Sequence, residues 1–375
     1  MKQRGSVKLL IVMMVIALAA AMTFGGCGSD NESSDSKENN EKKSEQNKED
    51  SGKTIVFKDD SGRKVKVPEK PEKVVASGHL AQLFLYAIAP DTIIASAGDR
   101  TDAEKKYLPD KYLDLPVVGS FFGQNDLNYE EIAKLSPQLI IDVGEAKPTM
   151  KADLKEITKK TGIPAVHIDA DFKTMDKAFV KLGKLMGKKE QGDKLAAYSR
   201  DTYDQANKTL KKVGKKKRVM YCIGEDGLNV LAKDSYHSQI LDMMADNVAV
   251  LKNPSSMGTG NEVNIEQMMK WDPEIIIFAP NSYYGQVADD SAWKTLSAVK
   301  SKKYYEVPAG PYEWMGNPPS SNRILGLLWI TKLLYPDEAD FDMKEKTKEY
   351  YDLFYHNDLS DEEYDKLVKN SLLKK

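Results

Sequence analysis

Apolar and polar positions alternate over residues 54–67, TIVFKDDSGRKVKV, on both sides of Asp60-Ser61-Gly62. That pattern predicts a β-hairpin closed at the three turn residues. Pro68 and Pro71 end it, because proline brings no N–H to a strand ladder. The period then changes. Mainly apolar stretches at residues 74–76, 92–97 and 117–119 predict short buried strands, and the stretch at 80–89 predicts an apolar helix. A helix near residues 149–160 and a strand at 165–168 continue the alternation, which is the pattern of a parallel α/β lobe.

Residues 174–213 carry two stripes at helical spacing: Met175, Phe179, Leu182 and Met186, then Leu195, Tyr198, Thr202, Ala206 and Leu210. Gly187 and Gly192 suggest a break between them. The second stripe is too long for a crossover within one lobe and reads as a connection between two. Strands are then expected at 218–223, 248–251 and 303–307, with a helix at 238–245. An amphipathic helix capped by Ser320 or Ser321 is expected over 320–334, and two charged helices packed on the outside over 341–367.

One stretch occurs twice. Residues 127–144 read LNYEEIAKLSPQLIIDVG and residues 263–280 read VNIEQMMKWDPEIIIFAP. Aligned without gaps, they pair Asn128 with Asn264, Glu130 with Glu266, Lys134 with Lys270, Pro137 with Pro273, Ile140 with Ile276 and Ile141 with Ile277. Each copy predicts an Asn-capped short helix, a proline stop and a buried strand. A single repeat at this separation suggests two related α/β lobes, which the long helical tract joins as an interlobe helix. The segments are 54–172 and 214–335 for the lobes, 173–213 for the helical backbone and 336–375 for the C-terminal helices.

The first residues add a location. Lys2, Arg4 and Lys8 precede an apolar run at 9–22, and Phe24-Gly25-Gly26-Cys27 follows. This is an export signal over residues 1–26, its apolar run being short beside the roughly 20 residues of a membrane span. The residues before Cys27 resemble a bacterial lipobox, which implies cleavage before Cys27 and a diacylglyceryl thioether on its sulfur. Residues 28–53 are almost wholly polar and read as a disordered tether running from Cys27 to 53. Cys222 alone then remains in the mature chain, inside an apolar strand, as a buried small hydrophobe. Charged residues are 30% of the chain but the net charge is −2, so nothing electrostatic favours nucleic acid.

An exported lipoprotein with a polar tether and two lobes, each carrying N-x-E…P-x-x-I-I, resembles the substrate-binding lipoproteins of ABC importers for iron chelates and vitamin B12. The opening hairpin leading into PEKPEKVVASG, residues 68–78, supports the resemblance. It implies a monomer that captures an iron chelate, such as a ferric siderophore, outside the membrane and delivers it to an ABC permease. It also implies that Glu130 and Glu266 dock on permease arginines. From the residues alone, each is a carboxylate favoured near a helix N-terminus by about 0.3–1 kcal/mol.

Ligands of open α/β sheets bind beyond the carboxyl ends of the strands. The candidates at those ends are His79, Arg100, Phe121, Phe122, Glu225, Tyr283 and Tyr284, with Tyr312, Trp314 and Arg323 from the loop AGPYEWMGNPPSSNR at 309–323. Aromatic rings there could cover a chelate's apolar rim, while Arg100 or Arg323 paired with its negative charge. His79 could ligate haem or serve as a polar wall. No CxxC or HxxxH spacing and no carboxylate cluster marks a bare-metal site, and no Walker motif, G-x-S-x-G or paired catalytic acids mark an enzyme. No cofactor of its own is expected. Haem, with His79, Tyr312 or Met315 as axial ligand, cobalamin or an oxyanion such as molybdate are alternative cargoes. A surface sensor or enzyme on the same scaffold is the other class. A helical connection between lobes implies only a small hinge motion on binding.

Overall fold

The computed structural model describes residues 52–121, 126–255 and 257–372. The export signal, Cys27, most of the tether and Phe122 lie outside the described residues. Among the described residues, no helix is long and apolar enough to cross a membrane.

The first lobe runs β1 (Thr54–Lys58), β2 (Lys64–Pro68), β3 (Val74–Ala76), α1 (His79–Ile88), α2 (Asp102–Tyr107), α3 (Asp110–Leu113), α4 (Tyr129–Leu135), β4 (Leu139–Gly144), α5 (Met150–Thr161) and β5 (Ala165–Asp169). β1 and β2 form the expected antiparallel hairpin. Gly62 takes a positive φ of 81° at its turn, and the Asp59 carboxylate accepts from the Ser61 hydroxyl and the Arg63 N–H, each at 2.8 Å. β3, β4 and β5 make a parallel sheet in that order, buried on both faces, with Asp142 and His167 interrupting otherwise apolar runs. The stretches at 92–97 and 117–119 do not become ladder strands. They join through single parallel bridges, Val74 to Ile93 and Ser96 to Val117. A 3₁₀ turn at Pro90–Thr92 and the missing N–H of Pro116 leave each with too few residues to pair.

α6 (Met175–Leu185) and α7 (Lys189–Leu210) follow. The break falls at Gly187, whose φ is 65°. Gly192 instead lies inside α7, where a Cβ on Gly183 would sit 2.9 Å from its Cα. Two glycines thus let these antiparallel helices touch backbone to backbone.

The second lobe runs β6 (Arg218–Ile223), β7 (Asn229–Val230), α8 (Gln239–Met244), β8 (Asp246–Asn247), β9 (Asn261–Glu262), α9 (Ile265–Trp271), β10 (Ile275–Phe278), α10 (Ser297–Lys300) and β11 (Tyr304–Glu306). The sheet order is β11-β10-β6-β7-β9, with β8 also on β6. β6, β10 and β11 are parallel, and β7 and β9 add an antiparallel edge. Residues 248–251 are not a strand; pairing with β6 is taken by Asp246 and Asn247.

Two expectations about the C-terminal part are corrected. α11 (Asn322–Leu334) is not amphipathic: every residue except Lys332 is buried, and Ser321 at its start makes no side-chain cap bond. A Cβ on Gly326 would lie 2.0 Å from the Trp314 carbonyl oxygen, so the 309–323 loop lies directly on this helix. The tail, α12 (Met343–Tyr350), a π-helical turn at Tyr351–Tyr355 and α13 (Asp361–Leu367), is not simply laid on the outside. Tyr350, Tyr351, Phe354 and Tyr355 are buried in the main core, and Tyr350 and Phe354 stack at 4.2 Å.

Candidate ligand-binding cleft

The carboxyl ends of the parallel strands in both sheets open onto cavities. The first, about 530 Å³, is bounded by Ser77 after β3, the first turn of α1, Asp142 to Glu145 at the end of β4, and Tyr236, His237 and Met257 of the second lobe. Gly78 offers α1 no side-chain cap, and the first helical bond runs from the Gln82 N–H to the Gly78 carbonyl. The N–H groups of His79, Leu80 and Ala81 therefore have no helix partner, and the positive end of the helix faces this cavity. Beneath it, buried Asp142 accepts from the Ser77 hydroxyl and contacts His167 Nδ1 at 2.6 Å.

The second cavity, about 470 Å³, lies on the second lobe. Its walls include Glu225 after β6, Asn281 and Ser282 after β10, and Glu313 and Met315 from the 309–323 loop. Tyr221 on β6 donates its hydroxyl to Glu313 Oε1. Burial outweighs that bond and raises the Glu313 carboxyl to about 7. His237 borders both cavities. Desolvation lowers the pKa of His237 and of His79, which keeps both imidazoles neutral at neutral pH and able to ligate.

Of the described sequence candidates, His79 and Glu225 line the cleft. The others are elsewhere, each for a visible reason. Arg100 is bound to Glu104 at 3.3 Å, donates to the Tyr112 carbonyl at 3.0 Å and stacks over the Tyr112 ring. Tyr312 donates to the same Glu104 at 2.9 Å. Trp314 is 0% exposed, so it packs the core and covers no ligand. Arg323 is also 0% exposed; it donates to Gln239 Oε1 at 2.9 Å and to the Tyr236 hydroxyl at 3.2 Å, bracing a cleft wall from behind. Tyr283 is held by Asp290 at 2.6 Å beside Trp293, and Tyr284 packs against Phe278 and Tyr304. Phe121 packs on a small apolar cluster of the first lobe.

Sequence reasoning passed over Tyr236, His237, Asp142 and Glu313. Glu313 lay within the loop singled out for its aromatics, and being the one acidic residue of that loop was the signal. Tyr236 and His237 sit on a 3₁₀ turn, Tyr236–Ser238, which has no periodic signature.

The repeat is reproduced in three dimensions. Asn128 accepts from the Glu131 N–H at 3.0 Å, and Asn264 from the Gln267 N–H at 2.8 Å. Both helices end in a left-handed residue before the proline, Ser136 at φ 49° and Asp272 at φ 43°. Glu130 and Glu266 occupy the same first-turn position and are exposed. Neither carboxylate has a hydrogen bond or ion pair among the described residues, whereas neighbouring Glu131 is bound to Lys134 at 3.3 Å.

A family model described as periplasmic binding protein matches residues 99–311, more than half of the chain. The Fe(3+)-citrate-binding protein YfmC of Bacillus subtilis is 26% identical over 305 residues, covering 79% of this chain and 89% of that protein. The molybdate-binding protein MolA of Haemophilus influenzae is 24% identical over 329 residues, 80% of this chain and 90% of that protein. Among solved structures, an ABC transporter solute binding protein from Sulfurospirillum deleyianum superposes with a TM-score of 0.77 at 28% identity, covering 84% of this chain and 99% of that one.

Proposed function

The chain belongs to the periplasmic binding protein family, and from that premise we propose that it captures a ferric siderophore outside the cell membrane and delivers it to an ABC permease. The observation that carries this is the placing of two cavities at the carboxyl ends of both lobes' parallel strands, with an exposed, unengaged glutamate at the equivalent turn of each lobe. The relatives' roles support solute capture. Glu130 and Glu266 are the docking carboxylates, one per lobe, facing permease arginines.

Cys27 is the lipid anchor, and the polar residues 28–53 link it to the binding domain. The protein works as a monomer and is not an enzyme. Iron enters as part of the cargo.

A second cargo, haem, is favoured by one observation: neutral His79 and His237 line the same cavity as Met257. The discriminating experiment titrates tryptophan fluorescence with ferric siderophores, haemin, cobalamin and molybdate. Saturable quenching by a ferric siderophore is the expected result. A response confined to haemin, with a Soret shift, would establish the second reading. Silence towards the whole panel would overturn both.

A further inference from the structure

Resting on the capture reading, we propose that the cleft selects a chelate of neutral or positive net charge and holds its cationic arm in the second-lobe cavity, against Glu225 and Glu313. Two observations lead there. The first is the fate of the arginines. Arg100 is neutralised by Glu104, and its side chain is only 7% exposed. Arg323 is 0% exposed and enclosed by Gln239, Tyr236 and the Phe172 ring at 5.7 Å, so an anion in the cleft meets Tyr236 before it meets the guanidinium. Neither arginine is among the residues that line these two cavities.

The second is what does line the walls. Among the described residues, the carboxylates are Asp142 and Glu145 in one cavity and Glu225 and Glu313 in the other, and the sole lysine or arginine is Lys147. Desolvation keeps His79 and His237 from adding positive charge at neutral pH. Glu313 spends Oε1 on Tyr221, and its Oε2 has no partner among the described residues. Asn229, Asn281 and Asn317 also line the chamber, and a side-chain amide oxygen turned inward from any of them adds an acceptor for the N–H donors of an ammonium group. The raised pKa of Glu313 supports this, since a cation beside it would restore the ionised form that burial disfavours.

The two ends of the cleft are therefore unlike. The N–H groups of the α1 first turn, without partners among the described residues, suit the negatively charged hydroxamate oxygens on the iron centre's rim. The far chamber suits an amine. Together they describe a hydroxamate-type iron chelate with a pendant ammonium, and they disfavour citrate, catecholate or molybdate anions, whose charge would meet a single lysine and no arginine across the two cavities.

The test uses the full chain and three soluble iron complexes followed by fluorescence quenching. Ferrioxamine B carries a free ammonium, its N-acetylated form has the same iron centre without the charge, and ferric citrate is anionic. Ferrioxamine B is expected to bind roughly tenfold or more tightly than the acetylated complex, with ferric citrate weakest. Glu225→Gln with Glu313→Gln should narrow the gap between the two hydroxamates. Equal affinity for the two, or tighter binding of ferric citrate, would overturn the charge assignment while leaving capture intact. Binding of none of them, nor of a ferric catecholate run in parallel, would overturn the capture reading and the charge assignment with it.

Discussion

The hydroxyl of Tyr221, inside β6, donates to the carboxylate of Glu313 and so ties the central strand of the second sheet to the 309–323 loop. The bond holds a titratable group in a buried wall, and that group sets a pH dependence. Its folded pKa, about 7, lies above the ordinary value of 4.5. The folded state thus holds the proton more tightly than the unfolded chain does. The resulting penalty on folding is absent below pH 4.5, grows between 4.5 and 7, and is constant above that. Glu313→Gln removes the titration while keeping an acceptor for Tyr221. It should raise the melting temperature at pH 8 by roughly 2–6 °C relative to wild type, with the gap closing near pH 5. A gap independent of pH would contradict the assignment.

Asp142 satisfies two buried groups at once, the Ser77 hydroxyl and His167 Nδ1. Asp142→Ala strands both, and His167 Nε2 already lacks a partner. Urea denaturation should show a loss of about 2–3 kcal/mol. Unchanged stability would mean that the network contributes nothing to folding.

Gly326 leaves no room for a methyl group against the Trp314 carbonyl oxygen. Gly326→Ala must push the loop that carries Glu313 and Met315 off α11, at a cost of about 1–3 kcal/mol. Reduced stability together with weaker ligand binding is expected. A variant with full affinity would show that the loop's position is not needed for the cleft.

The interlobe connection is the helix α7, Lys189–Leu210, packed along α6 through Gly183 and Gly192. Such a connection is stiff, so solution scattering should change little between free and loaded protein. A large compaction on loading would contradict it.

Much of the fold was legible because its signals are local. Short apolar runs such as Leu139 to Ile141 and Ile275 to Phe278, each following a proline stop, read as buried strands. The two Asn caps and prolines announced the same unit twice. The cleft was less legible, because the chain's polarity does not say which way a side chain turns. Arg323 looks like a surface cation in sequence, yet α11 runs through the middle of the core and carries it inside. Trp314 and Tyr312 look like ligand-facing aromatics, but the loop folds them against α11 and Glu104. His237 has no spacing relation to His79, and only the meeting of two lobes brings both to one cavity.

Delivery to a permease is the centre of the account, and the equivalent glutamates test it most directly. The double variant Glu130→Ala, Glu266→Ala removes two exposed carboxylates without protein partners among the described residues, so folding and ligand affinity should match wild type. Uptake of the bound iron chelate by cells or proteoliposomes carrying the cognate permease should then fall to near background. Undiminished uptake by a double variant that still binds its ligand would contradict docking through these two residues.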